Sequence, residues 1–112
     1  MWYFEEDSDG YYKIKSKQTD KCIDISGIST EDGAKLQLWS DVDGNNQKWQ
    51  MEEINEEDYY EYVITSVRSN KVIDVENNSK DNGALIQQYE SNGNDNQIWY
   101  IRYVDEKYFY IE

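Results

Sequence analysis

Sliding the chain by 50 positions lays residues 12–49 on residues 62–99 without a gap, and nothing else in its 112 residues limits the fold so tightly. A unit that recurs at such a period is one supersecondary element that buries its apolar face against its own copies, so the repeat is read before any local element. Identities fall on apolar anchors (Ile14/Ile64, Ile23/Ile73, Ala34/Ala84, Trp49/Trp99) and on polar positions (Asp24/Asp74, Gln37/Gln87, Asn46/Asn96, Gln47/Gln97) alike. A second overlay, at an offset of 97, puts Trp2-Tyr3-Phe4 on Trp99-Tyr100-Ile101 and Tyr11-Tyr12-Lys13-Ile14 on Tyr108-Phe109-Tyr110-Ile111. Both ends of the chain therefore read as parts of a further copy.

Each copy divides into four short strands with alternating or briefly continuous apolar residues: 11–15, 22–25, 35–39 and 48–52 in the first, and 62–66, 72–75, 85–89 and 98–102 in the second. Turn-forming residues separate them, with Thr19-Asp20-Lys21 and Ser69-Asn70-Lys71 as hairpin connections and Asp32-Gly33 and Asn82-Gly83 supplying positions tolerant of positive φ. The absence of Pro and an aromatic share of 15% suit aromatic strands and argue against long helices. Four-stranded repeats of this length also build propeller blades, but a propeller needs four or more blades and this chain holds two full copies.

Lys and Arg number 11 against 24 Asp and Glu, a net charge of -13. That field repels polyphosphate, so nucleic acid is not an expected partner. The clusters Glu5-Glu6-Asp7, Glu52-Glu53 and Glu56-Glu57-Asp58 read as solvated, solubilising loops between copies. Cys22 is the one cysteine, so no intrachain disulfide forms, and its place beside Ile23 predicts buried packing. Met1-Trp2-Tyr3-Phe4-Glu5-Glu6-Asp7 has neither the basic start nor the apolar stretch of a signal peptide, and nowhere do 18 apolar residues run together, so membrane insertion is not expected. Localisation stays open: extracellular if the chain is part of a larger secreted protein, otherwise cytoplasmic.

Gln47-Lys48-Trp49 and Gln97-Ile98-Trp99 resemble the Gln-x-Trp signature of ricin B-type lectins, and their surroundings recur with them. Cys22-Ile23-Asp24-Ile25, Gly33-Ala34-Lys35-Leu36-Gln37-Leu38-Trp39 and Asn46-Gln47-Lys48-Trp49 are similar to a whole repeat of that family. The second copy repeats the pattern, so the resemblance covers essentially the full chain. It implies an all-β fold, the β-trefoil, in which first and fourth strands of the repeats make a six-stranded barrel and the middle pairs make capping hairpins. One domain over 1–112 is expected, with repeat copies 11–52 and 59–102 and a partial third copy from 1–6 and 105–112. All six barrel strands are then present and the third capping hairpin is absent. A homodimer contact, a partner or a larger parent protein is expected to cover the vacancy.

The resemblance also implies sugar pockets: Asp24, Gln37, Trp39 and Asn46 in the first copy, and Asp74, Gln87, Tyr89 and Asn96 in the second. An aromatic face suits the C–H face of a sugar, and a carboxylate with amides suits adjacent hydroxyls. Trp39 and Tyr89 are therefore expected to face outward beside Asp24 and Asp74. Gln47, Trp49, Gln97 and Trp99 are assigned to the core of their repeats, with the Gln side chains bonded to neighbouring backbone. Trp2 is the third tryptophan of the set, with Met1 read at the position of its Gln, so a third pocket is expected to be missing. Where relatives bridge the middle strands with a disulfide, Cys22 would need a thiol near Asp41, which this chain lacks.

Without His, and with a single Cys, the usual zinc ligands and a His-based triad are both excluded. Asp41-Val42-Asp43-Gly44-Asn45 with Glu52 is similar to a calcium loop, but its Gly stands at the wrong position, and no metal or other cofactor is expected. No pair of carboxylates is marked out for glycoside hydrolysis, so an enzyme is not expected. Two readings remain: a non-catalytic glycan- or polysaccharide-binding module for galactose- or xylose-type sugars, and an acidic protein-interaction domain, such as an inhibitor, immunity protein or toxin-complex subunit, with idle pockets.

Overall fold

The computed structural model describes residues 1–55 and 60–112. Glu56-Glu57-Asp58 and position 59, the expected start of the second copy, lie outside them. Among the described residues the chain forms β1 (Trp2–Glu6), β2 (Tyr12–Ser16), β3 (Cys22–Ile25), β4 (Leu36–Trp39), β5 (Trp49–Asn55), β6 (Glu61–Ser66), β7 (Val72–Val75), β8 (Ile86–Tyr89), β9 (Trp99–Tyr103) and β10 (Phe109–Ile111), with single 3-10 turns and no α-helix.

Six strands close a ring of antiparallel pairs: β1 with β2, β2 with β5, β5 with β6, β6 with β9, β9 with β10, and β10 with β1. Closure removes every free edge from the barrel. Its register carries the repeat, because Tyr12 stands opposite Trp49, Tyr62 opposite Trp99 and Phe109 opposite Trp2. Hairpins β3–β4 and β7–β8 hang from the ring, and the described residues supply none between β10 and β1. Met1 holds the middle position of the third Gln-x-Trp triplet and not the Gln position expected for it: its carbonyl accepts from Lys17 N at 3.0 Å, as the Lys48 carbonyl accepts from Val67 N at 3.0 Å.

Inward residues of ring and hairpins meet in one core of Ile14, Ile23, Ile25, Trp49, Ile64, Ile73, Ile101 and Phe109. Trp49 is fully buried, whereas Trp2 and Trp99 pack against this core only partly covered. Cys22 is buried and free, and its surroundings push its thiol up to about 11 by desolvation. Strand β5 runs past the expected end at residue 52 because pairing with β6 continues through Glu53 opposite Tyr62 and, after a bulge, Asn55 opposite Glu61.

Two acidic clusters depart from the loop expectation, since Glu52 and Glu53 lie in β5 and the first cluster is largely strand as well. Glu5 and Glu6 belong to β1, and Glu5 meets Lys15 at 2.7 Å. Asp7 reaches Lys48 at 3.5 Å. Asp41 bonds both Lys13 and Lys15, and Asp43 both Lys13 and Lys48. The two carboxylates read as calcium-like in sequence are thus turned onto ammonium groups, as a network of alternating sign around the first copy. Burial on its own would raise the Asp41 pKa, but donors from Asp43 N–H, Lys13 and Lys15 outweigh it and hold the carboxyl at about 2. The second copy has Val63, Thr65 and Ile98 at the positions of these lysines.

Candidate functional site

Asp24 lies on β3 opposite Gln37 of β4, and both point toward the loop that leads into β5. The carboxylate is 3% exposed and is gripped by three amides. Gln37 Nε2 donates to Oδ1 at 3.1 Å, while Asn46 Nδ2 and Gln47 Nε2 donate to Oδ2 at 3.1 and 2.9 Å. Asp74 is held in the same way, by Gln87 at 3.0 Å on one oxygen and by Asn96 and Gln97 at 3.2 and 2.9 Å on the other. The structure therefore brings together Asp24, Gln37 and Asn46 in one copy, and Asp74, Gln87 and Asn96 in the other.

The Gln of each Gln-x-Trp does more than bond its neighbouring backbone. Gln47 Nε2 donates to Ser40 O and its Oε1 accepts from Val42 N, as expected, but the same amide nitrogen also reaches Asp24. Gln97 repeats this with Glu90 O, Asn92 N and Asp74. A 3-10 turn at residues 45–47 makes the reach possible by aiming Asn46 and Gln47 inward together. A Cβ at Gly44 would stand 2.6 Å from Asn46 Oδ1, yet the second copy makes the same turn with Asn94 at that position, so the approach does not depend on glycine. Trp49 and Trp99 donate their indole N–H to Ile23 O and Ile73 O, fastening each hairpin to the barrel.

Trp39 and Tyr89 face outward, 54% and 41% exposed. Trp39 lines an open concavity of about 250 Å³ with Asp24, Gln37, Asn46, Ile28 and Val42. Tyr89 lines one of the same volume with Asp74, Gln87, Asn96, Asn78 and Asn92. The wall residues were not singled out in sequence, and the overlay shows why they matter: Gly27-Ile28 and Val42 of the first copy stand where Asn77-Asn78 and Asn92 stand in the second. One concavity has an apolar rim and the other an amide rim.

Acceptor positions remain in both. An ionised carboxylate offers about four lone-pair directions, and three are taken in each copy, leaving one on the oxygen bonded to Gln37 or Gln87. Gln37 Oε1 has no protein donor among the described residues, whereas Gln87 Oε1 accepts from Lys35 Nζ of the first hairpin at 3.1 Å. In the second copy Asn96 Oδ1 is buried with no donor among the described residues. Each concavity therefore offers an aromatic face and one carboxylate position, and the first adds the Gln37 amide oxygen.

The family model described as ricin-type β-trefoil lectin domain-like matches residues 1–61 and again 45–112. The designed 3-fold symmetric protein ThreeFoil is 34% identical, with a TM-score of 0.86 over 92% of this chain and 71% of its own. An exo-β-1,3-galactanase from Clostridium thermocellum is also 34% identical, with a TM-score of 0.82 over 88% of this chain and 21% of its own. The Polyporus squamosus lectin, at 20% identity and a TM-score of 0.74 over 88% of this chain and 34% of its own, shows the shared fold. Among curated proteins, the Clotting factor G alpha subunit of Tachypleus tridentatus is 35% identical over 51 residues, which make up 46% of this chain and 8% of that subunit's length.

Proposed function

The chain belongs to the ricin-type β-trefoil lectin domain-like family, and on that premise we propose that residues 1–112 act as one carbohydrate-binding module with two shallow pockets, centred on Asp24 and Asp74. The observation that carries this reading is the outward Trp39, set beside a buried carboxylate that still has an acceptor position free. A sugar stacks its C–H face on the indole and donates one hydroxyl to Asp24 Oδ1 and a neighbouring hydroxyl to Gln37 Oε1. In the second pocket Tyr89 takes the stacking role and Asp74 accepts.

The ligands are galactose- or xylose-type sugars at the ends or along the chains of glycans. The galactose side of this choice is supported by the 34% identity to a segment of a protein that acts on galactan. Binding is the activity proposed for these two pockets, each of which holds one carboxylate where glycoside hydrolysis uses two flanking the bond. Shallow pockets bury few ligand atoms, so each site binds with a dissociation constant of about 0.1 to 1 mM, and two sites add avidity on a multivalent surface.

Titration calorimetry with galactose, xylose and short β-1,3-galactans tests this. Trp39→Ala is expected to remove one site and Tyr89→Ala the other, each without loss of fold because both rings are exposed. Heat from no sugar, or heat undiminished in the double variant, removes the lectin reading and leaves the acidic protein-interaction reading in its place.

A further inference from the structure

The second pocket does not end at its own wall. Beside the concavity of Tyr89 and Asp74 lies another of about 450 Å³, and Asn78 and Asn94 line both. The rest of its lining is Lys80, Gly93 and Asp95. The Tyr89 concavity alone, at about 250 Å³, is smaller than an ordinary small-molecule site of about 300–1,000 Å³, and the two concavities together fall within that range. An occupant seated on Tyr89 therefore has room to continue past Asn78 and Asn94 without leaving the surface.

The polar groups of this extension are uncommitted. The side chains of Asn78, Lys80, Asn94 and Asp95 are exposed and have no hydrogen-bond or ion-pair partner among the described residues. Asn94 engages only its backbone, its N–H on Asn92 Oδ1 and its carbonyl on Gln97 N–H. Lys13, Lys15, Lys35, Lys48 and Lys71, by contrast, each hold a carboxylate. One ammonium and one carboxylate line the extension, so it selects neither an anion nor a cation. Together with two amides they suit the hydroxyls of a neutral sugar, each of which donates and accepts. The lining carries no ring, so a unit lying there is held by hydrogen bonds without stacking. The first copy differs at these positions. Ile28, Thr30, Gly44 and Asn45 stand where the second has Asn78, Lys80, Asn94 and Asp95, and Asp43 beside them is turned onto Lys13 and Lys48.

On the premise that Tyr89 and Asp74 hold a sugar, we propose that the second copy carries a further subsite, bounded by Lys80, Asn94 and Asp95, which takes the neighbouring unit of a neutral oligosaccharide. Tyr89 stacks one ring and Asp74 accepts from it. Lys80 Nζ donates to a hydroxyl of the next ring, the Asp95 carboxylate accepts from another, and Asn78 and Asn94 lie under the linkage. The first pocket takes a single unit. Chain length then separates the two pockets as well.

The test is an NMR titration of the full chain with galactose, xylose, β-1,3-linked galactobiose and β-1,4-linked xylobiose, following backbone amides. Trp39→Ala leaves the second pocket to be read alone, and Tyr89→Ala leaves the first. In Trp39→Ala one disaccharide is expected to bind at least about fivefold more tightly than its monosaccharide, with the Lys80 and Gly93 amide signals moving for the disaccharide only. In Tyr89→Ala the same pair is expected to differ by less than about twofold, the statistical gain of offering two units. Adding Lys80→Ala and Asp95→Ala to Trp39→Ala is expected to bring the ratio to within about twofold. A monosaccharide that binds at Tyr89 with no gain from the disaccharide overturns the subsite and leaves the two pockets standing. A gain that survives loss of Lys80 and Asp95, or one equal in both pockets, overturns its placement. Silence from all four sugars overturns the pockets themselves and the subsite with them.

Discussion

Replacing Asp24 with Ala removes the acceptor on which three amides converge, and the expected first consequence is loss of stability. Gln37, Asn46 and Gln47 donate to this carboxylate at 3.1, 3.1 and 2.9 Å, at a position 3% exposed. A hydrogen bond to a charged group contributes about 1.5–3 kcal/mol, and a buried donor left unpaired costs about 1–3 kcal/mol. Those figures do not simply add here. Asn46 keeps Ile25 O and Gln47 keeps Ser40 O as second acceptors, and Gln37 is partly exposed and can turn to water. A net loss of about 3 kcal/mol follows. An unfolding entropy of about 2.1 cal/mol/K per residue makes this a fall in Tm of about 13 °C for a chain of this length. Asp24→Asn is not expected to rescue it, because an amide NH₂ would face amide donors. Calorimetric unfolding of the wild type, both Asp24 variants and Asp74→Ala measures the effect. A loss below about 1 kcal/mol in Asp24→Ala, or full recovery in Asp24→Asn, would refute the carboxylate's role as hub. Loss of sugar binding in Asp24→Ala alone therefore does not identify a contact, and Trp39 and Tyr89 are the informative positions.

Two further outcomes are expected. Ile28 is a β-branched residue at φ +54° and 58% exposed, so Ile28→Asn, which copies Asn78, should stabilise the chain by about 1 kcal/mol on thermal unfolding while exchanging an apolar rim for an amide one; destabilisation would contradict the strain. Asp41 has its folded pKa lowered to about 2, so its stabilising share is present above the unfolded value near 3.8 and disappears as pH falls through the folded value. In urea unfolding the gap between the wild type and Asp41→Ser should be full at pH 6 and narrow steadily below pH 4, and a gap constant from pH 6 to pH 3 would rule out the ionic cause.

Much of the scaffold was legible because the repeat constrains pairs of residues at once. Aromatic residues at 12, 62 and 109 and tryptophans at 49, 99 and 2 were readable as first and fourth strands, and the barrel pairs them in that order. Asp24, Gln37 and Asn46 could be placed together because the resemblance carries them as a set. Other features resist an overlay by their nature. Gln88 falls on Leu38, which looks like ordinary drift, yet Gln88 is the bridge between hairpins that differ in what lies beside them. Glu5 and Asp7 read as loop charges because their lysines stand apart in sequence: the β1–β2 hairpin brings Lys15 to Glu5, and the ring pairing of β2 with β5 brings Lys48 to Asp7. Ile28 and Val42 carry no recurring signal at all, and only folded coordinates place them around Trp39.

The amide network also changes what recurrence means in this chain. Asp24, Asn46 and Gln47, with Trp49, tie hairpin to barrel through side-chain and carbonyl bonds, and Asp74, Asn96, Gln97 and Trp99 do the same. Such residues would be kept in both copies for folding alone, whether or not a ligand ever entered. A fastening role does not require an exposed ring, however, and it leaves no reason for an indole to stand in solvent beside the hub at the cost of exposed apolar area. Under the proposed sugar-binding role, the informative residues are the ones that differ between copies. Trp39, Ile28 and Val42 make a rim suited to stacking, and Tyr89, Asn78 and Asn92 make one suited to hydroxyls. Two pockets with one scaffold and opposite rims are expected to rank the same sugars differently, so that a glycan presenting both epitopes gains more from avidity than a repeat of either.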